Sequence, residues 1–267
     1  MARSIPPPLK RFGQHFLIDQ NIVRKIVDLA AIQPDETVLE IGPGRGILTR
    51  ALCEKAKRVI AIEIDRQLAQ ILTDFCPNLD LRIGDALEFD YESLPPATVV
   101  VANLPYYVST PLLFKFLECS QTLDRLILMM QTEVAQRLAA RPGNKEYGAL
   151  SVLTQYRTTV TLSFRVSPNC FRPRPTVGSA VVHLQSRPVL SLNSTDETRF
   201  VRFVRAAFAH RRKTLVNSVR DEGYAADVVT VALNKCGIAI GRRAESLSLE
   251  DYLALAAALD DVRGSTE

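Results

Sequence analysis

Asn103-Leu104-Pro105-Tyr106 follows directly on the apolar run 99–102, VVVA. That run suits a strand covered on both faces, so the four residues fall at its carboxyl end. No His, Cys or carboxylate stands among them. The Asn103 side-chain oxygen and the Leu104 backbone carbonyl are uncharged acceptors, Pro105 stiffens the turn and Tyr106 offers a flat ring. Such a set suits the exocyclic amine of adenine. The lone pair of that nitrogen is delocalised into the ring, and acceptors that take its N–H groups favour a pyramidal nitrogen with the pair freed. The base itself can stack on tyrosine. An activated donor then supplies reactivity while the protein supplies orientation. The proton can leave after transfer, when the nitrogen is transiently cationic, which accounts for the missing base. A plain strand-ending turn is the structural alternative.

A donor site is expected at neighbouring strand ends. LEIGPGRGILT places Gly42, Gly44 and Gly46 between a strand and a helix, where glycine lets a ligand approach the backbone. A dinucleotide fingerprint, G-x-G-x-x-G, would need glycine at 47, and Ile47 stands there. The turn therefore suits a smaller nucleoside ligand. Glu63 closes the next strand, where a carboxylate can accept both hydroxyls of a ribose, a contact common to dinucleotides and S-adenosylmethionine. Asp65 is the expected cap of the following helix. Asp85, after the third strand, can accept from an adenine amino group or simply cap its turn. Gly, Glu and Asp in order on three strand ends are much harder to read as separate turns and caps than any one of them alone.

These residues need a scaffold of alternating elements, and the sequence supplies one. Asp19 is placed to cap a helix over 20–32, and strands are expected at 37–41, 58–64, from 79, at 97–103 and at 123–130, with helices between. Alternation of this kind predicts an α/β fold, a mostly parallel Rossmann-like sheet with helices on both faces. Segments near 157–166 and 178–186 read as a closing antiparallel hairpin around the loop SPNCFRPRPTVGS. After a linker at 186–197, helices are expected at 198–221, 225–236 and 249–260. The domains expected are 1–187, catalytic, and 188–267, small and all-helical.

The 267 residues carry a net charge of only +4, but the charge is unevenly spread. Positions 157–220 hold 12 Arg and Lys against Asp196 and Glu197, a window of +10 that leaves −6 for the remainder. The first 25 residues add five positives against Asp19. Two basic zones on an otherwise acidic chain suggest a polyanionic partner, with a solvated surface the plainer alternative. The basic segments lack the long apolar face of a membrane-surface helix, and no apolar run is long enough to span a bilayer. The first 14 residues do not resemble a signal peptide. Five cysteines without a CxxC pair predict reduced thiols in a cytoplasmic protein and no metal site.

Seven stretches in order, RFGQHFLID, EIGPGRGILT, NLPYYVST, MMQTEVAQRL, YGALSVLTQ, FRPRPTVGSAVV and FAHRRKTLVNS, resemble the ribosomal RNA adenine N6,N6-dimethyltransferases of the small-subunit type, over roughly residues 10–221. The resemblance implies an S-adenosylmethionine site formed by His15, Leu17, Gly42, Glu63, Asp85 and Asn103. It also implies dimethylation of two adjacent adenosines near the 3′ end of small-subunit rRNA, within a pre-30S particle, by a monomeric enzyme with a role in ribosome biogenesis. Two residues depart from the family pattern: Tyr107 stands where Asn is usual, and His15 where Asn is frequent.

A base inside a duplex cannot reach a recessed donor, so the target must be unpaired or flipped out. Tyr106 is expected on one face of it, and Phe171 is a candidate for the other, with a simple packing role as the equal alternative. Arg199, Arg202 and Arg205 recur every third residue, and Arg211, Arg212 and Lys213 extend the stripe, as phosphate-gripping groups would. Three alternatives remain at this point: an enzyme of large-subunit rRNA, a non-enzymatic RNA-binding assembly factor, and, least compatible with Ile47, a nicotinamide oxidoreductase.

Overall fold

The computed structural model describes Pro7 and residues 13–187 and 194–264. Arg3, Lys10 and Arg11 of the N-terminal basic zone, and linker residues 188–193, lie outside them. Strand β1 (Phe16–Leu17) leads into α1 (Gln20–Ala30), which Asp19 caps by accepting from the Asn21 and Ile22 amides at 2.8 and 3.4 Å. Its buried face is Val23, Ile26, Val27 and Ala30, a helical spacing that lays it on the sheet.

Alternation then follows: β2 (Thr37–Ile41), α2 (Ile47–Cys53), β3 (Arg58–Glu63), α3 (Arg66–Leu72), β4 (Leu79–Ile83), β5 (Thr98–Asn103), α4 (Ser109–Glu118), β6 (Leu123–Gln131) and α5 (Thr132–Leu138). Next come α6 (Ala149–Arg157), β7 (Thr158–Val166), β8 (Phe171–Arg172) and β9 (Ser179–Ser186). Seven strands pair in the order β4-β3-β2-β5-β6-β9-β7. The first five are parallel; β9 runs antiparallel to both β6 and β7. Strands β3 and β4 lie on one side of β2, and β6, β9 and β7 lie on the far side of β5, so a topological switch point lies between β2 and β5. A crevice opens outside the carboxyl ends of strands at such a point, and Gly42 and Asn103 flank it. Val99, Val100 and Val101 are fully buried, as strand residues covered by helices on both faces must be.

The chain divides into two compact units, one of residues 1–135 and 158–186, the other of 136–157 and 187–267. The second differs from the expected helical domain by taking in 136–157. It contains α6, α7 (Ser194–Phe208), α8 (Leu215–Asp221), α9 (Ala226–Lys235) and α10 (Leu249–Gly264) around buried Phe200, Phe203, Val204, Leu233 and Tyr252. The helix expected over 198–221 is two helices. Thr214 caps the second by accepting from the Asn217 amide at 3.4 Å, and Ser218 Oγ donates back to the Ala206 carbonyl at 2.9 Å. Arg211, Arg212 and Lys213 therefore sit on the turn between helices.

The glycine turn is held tightly. Gly46 has φ +78°, and a Cβ there would lie 2.7 Å from both Leu72 Cδ2 and Phe75 Cζ. Gly46→Ala is expected to destabilise the protein by about 2–4 kcal/mol, from left-handed backbone strain plus overpacking, read as a lowered urea midpoint.

Candidate active site

The crevice is an open cleft with about 1070 Å³ of empty space, solvent at its mouth included. Its walls are the ends of β2, β3 and β5, the turn after β4, and residues 13–17. Gly42 donates its N–H to the Ile62 carbonyl at 2.9 Å, which turns the chain away from the sheet at the crevice edge. Glu63 is buried beneath: Oε2 accepts from the Gly44 amide at 3.0 Å and Oε1 from the Asp65 amide at 2.9 Å. Burial pushes its pKa up, and the backbone donors of Asp65, Gly44 and Ile64 oppose that rise. Each oxygen retains a second lone pair for a ligand hydroxyl. Asp85 Oδ1 accepts from the Leu87 amide at 2.8 Å, an Asx-type turn that presents the carboxylate at the cleft.

Asn103 ends β5 with Nδ2 donating to the His15 carbonyl at 3.4 Å. A carbonyl only accepts, so this amide has one workable orientation, with Oδ1 directed away from His15. The Leu104 N–H donates to the Met129 carbonyl at 3.0 Å, while its own carbonyl takes no hydrogen bond from the described residues. The turn is closed by Val108 N–H to Pro105 O at 3.1 Å. Tyr106 is held at its far end by a 2.7 Å hydrogen bond between its hydroxyl and Ser179 Oγ, at the start of β9. The His15 ring lies 5.7 Å from the Tyr106 ring, tilted by 32°. His15 Nδ1 is 2.8 Å from the Pro173 carbonyl, which only accepts, so Nδ1 carries a proton and donates it.

All the expected donor-site and catalytic positions thus line one cleft, Leu17, Pro105 and Asp85 among them. Phe171 does not. It is 0% exposed, in the core with Leu17, Val23 and Ile26, because β8 pairs antiparallel with β1 and turns that ring inward. The expected stacking role for Phe171 is withdrawn. Tyr107, 54% exposed on the cleft wall, is the aromatic ring at the mouth instead.

Glu40 is a site residue that motif reasoning passed over, although an acid inside the apolar strand TVLEI is a visible signal. Its side chain is buried on the cleft floor, and Oε2 has no hydrogen-bond partner among the described residues. Burial pushes its pKa up to about 8, the Glu63 charge adds to the rise and the nearby Thr49 hydroxyl opposes it. An orphaned carboxyl oxygen there, with acceptors at Glu63 and Asp85, fits a nucleoside bearing a cationic tail, as S-adenosylmethionine does.

The model of the ribosomal RNA adenine dimethylase family matches residues 9–261. The chain belongs to that family. It is 43% identical over 268 residues to "Ribosomal RNA small subunit methyltransferase A" of Moorella thermoacetica, covering 94% of this chain and 92% of that one. The protein of the same name from Bacillus mycoides is also 43% identical, over 94% and 90% of the two chains. Among solved structures, a dimethyladenosine transferase from Plasmodium falciparum superposes with a TM-score of 0.83 at 28% identity, over 93% of this chain and 98% of that one. The 23S rRNA methyltransferase ErmE superposes with a TM-score of 0.73 at 27% identity, over 92% and 99%. The fold is accordingly the Rossmann-like methyltransferase sheet with a helical C-terminal part.

In this family member the arginine stripe is exposed as expected, but part of its charge is already paired. Arg199 lies 3.1 Å from Asp260 and 3.8 Å from Asp196, and Lys213 pairs with Asp221. Arg202 lies 5.8 Å over the Tyr224 ring, and Arg211 Nη2 donates to the Lys145 carbonyl at 2.6 Å. Arg205 and Arg212 are exposed as well.

Glu40 also sets a pH dependence. The folded protein keeps a proton that the unfolded chain releases near 4.5, so without donor its stability falls as pH rises from there to about 8 and then levels. Glu40→Gln is expected to remove that slope, raising the urea midpoint above the parent's at about pH 9.

Proposed function

We propose that this family member transfers methyl groups from S-adenosylmethionine to N6 of two adjacent adenosines near the 3′ end of small-subunit rRNA, giving N6,N6-dimethyladenosine. The supporting observation is the pair of neutral acceptors at the switch point. Asn103 Oδ1 is left free by the His15 carbonyl, and the Leu104 carbonyl lacks a donor among the described residues. An adenine with its two N6–H groups on these oxygens and its face on Tyr106 turns the nitrogen lone pair toward the donor site. Hydrogen bonding to Ser179 keeps the Tyr106 ring from rotating away, so the stacking surface is preorganised. S-adenosylmethionine, when bound, supplies a methyl carbon activated by sulfonium sulfur. Glu63 takes the ribose hydroxyls, Asp85 the adenine amine and Glu40 faces the cationic part. No side chain needs to remove a proton beforehand, because the methylated nitrogen is acidic enough to release one to water.

The exposed arginines hold rRNA phosphates, and the substrate is a pre-30S particle met by a monomer in the cytoplasm. No helix among the described residues is long and apolar enough to cross a membrane, and all five cysteines are free.

Incubation with methyl-labelled donor and unmethylated small subunits, followed by nucleoside mass spectrometry, tests the reaction. Dimethyladenosine in the small-subunit RNA is expected. Label appearing only on large-subunit RNA, or none at all, would overturn the proposal. Asn103→Ala should lower the single-turnover rate by about a hundredfold or more while donor affinity changes far less; equal losses in both would remove the amine-holding role. Replacing Arg202, Arg205, Arg211 and Arg212 together by Gln should flatten the log–log salt slope of RNA binding by roughly two to three. An unchanged slope would take those residues out of the interface.

A further inference from the structure

Holding Asn103 in its productive orientation depends on where the His15 carbonyl sits, and at 3.4 Å the bond is at the long end of the range, so a small shift of that carbonyl would break it. His15 lies in a strap, residues 13–17, of which only β1 is regular structure. On its far side the strap is fixed by Phe16. That residue pairs with Arg172, packs so close to Gly44 that a Cβ there would lie 3.1 Å from its ring, and carries the Arg45 guanidinium 4.4 Å above it. On its near side, Gln14 Nε2 donates to Asp65 Oδ2 at 3.1 Å. Asp65 is buried and held by its own hydrogen bonds. Its Oδ1 accepts from the Gln67 amide at 3.0 Å to cap α3, and its own N–H reaches Glu63.

We infer that Gln14 is a positioning residue for methyl transfer: by tying the strap to Asp65 it sets the His15 carbonyl, and through it the Asn103 amide. Resting on the reading that Asn103 Oδ1 holds the target amine, the inference extends that reading to a residue outside the acceptor pair. The same tie makes the strap continuous with the donor site, since Asp65 and Gly44 both hydrogen-bond to Glu63. The donor's ribose carboxylate and the catalytic amide are thus braced by one strap, which Gln14 fastens to Asp65 while Phe16 and the His15 ring fasten it to Arg172 and the Pro173 carbonyl.

Single-turnover methyl transfer on unmethylated small subunits, calorimetric binding of S-adenosylmethionine and thermal unfolding test this together. Gln14→Ala is expected to slow transfer by about tenfold or more, as small misplacements of reacting groups do, with a smaller change in donor affinity and an unaltered melting temperature. In an Asn103→Ala background the same substitution should add nothing, because the amide it positions is gone. Gln14→Glu sets two carboxylates together and should be slower still. Combining it with Asp65→Asn should restore the rate, since asparagine can cap α3 through Oδ1 and donate Nδ2 to the new carboxylate. A Gln14→Ala loss that persists in the Asn103→Ala background, or a Gln14→Glu/Asp65→Asn protein as slow as Gln14→Glu alone, would overturn the inference and leave the amide's role standing. An Asn103→Ala protein with the parent's rate would overturn both.

Discussion

A backbone carbonyl can only accept, and the catalytic corner of this protein depends on that asymmetry. His15 presents its carbonyl to the Asn103 amide, the amide turns its nitrogen to it, and an oxygen is left for the cleft. A serine or threonine at 103 could rotate its hydroxyl to either role, and an aspartate would bring a charge. Asparagine gives a neutral acceptor whose direction is dictated by a neighbour. Much of the first unit can be understood as the means of bringing that neighbour into place from 88 residues away.

The sheet order contributes the location. With β2 and β5 adjacent and their successors running to opposite edges, the glycine turn and the Asn-Leu-Pro-Tyr turn must share one crevice. The antiparallel β9 contributes as well, because inserting it beside β6 brings Ser179 to the Tyr106 hydroxyl. One strand added out of sequence order therefore fixes the plane on which a base would lie.

How far the sequence discloses this depends on whether a feature is local. Strands β2, β3 and β5 are legible because apolar residues run together and end in Gly, Glu or Asn, and Asp19 caps its helix as its position suggests. Helix α6 is not, because Ser151, Val152 and Thr154 are all fully buried, and a helix covered on every side shows no amphipathic period. The break between α7 and α8 is hidden too. Phe200, Val204, Leu215 and Val219 are all buried, and neither glycine nor proline marks the interruption at 209–214. Phe171 misled for a tertiary reason: a proline- and arginine-rich loop reads as exposed, and only the pairing of β8 with a two-residue strand near the N-terminus turns it inward. Gly42, Glu63, Asp85 and Asn103 are found together because each ends or follows its own strand, whereas Gln14 serves a partner 51 residues away that no local pattern reveals.

The neutrality of the acceptor pair has a consequence for the second round of chemistry. A monomethylated adenine arrives with one N–H and one N–CH₃, so one of the two oxygens must face a methyl group. Against a carboxylate that contact would leave an ion buried without its donor, at a cost of several kcal/mol. Against an amide or peptide oxygen it becomes a weak C–H···O contact, and the desolvation at stake is that of a dipole. The corner that accepts an unmodified base is thereby also tolerant of its half-finished product.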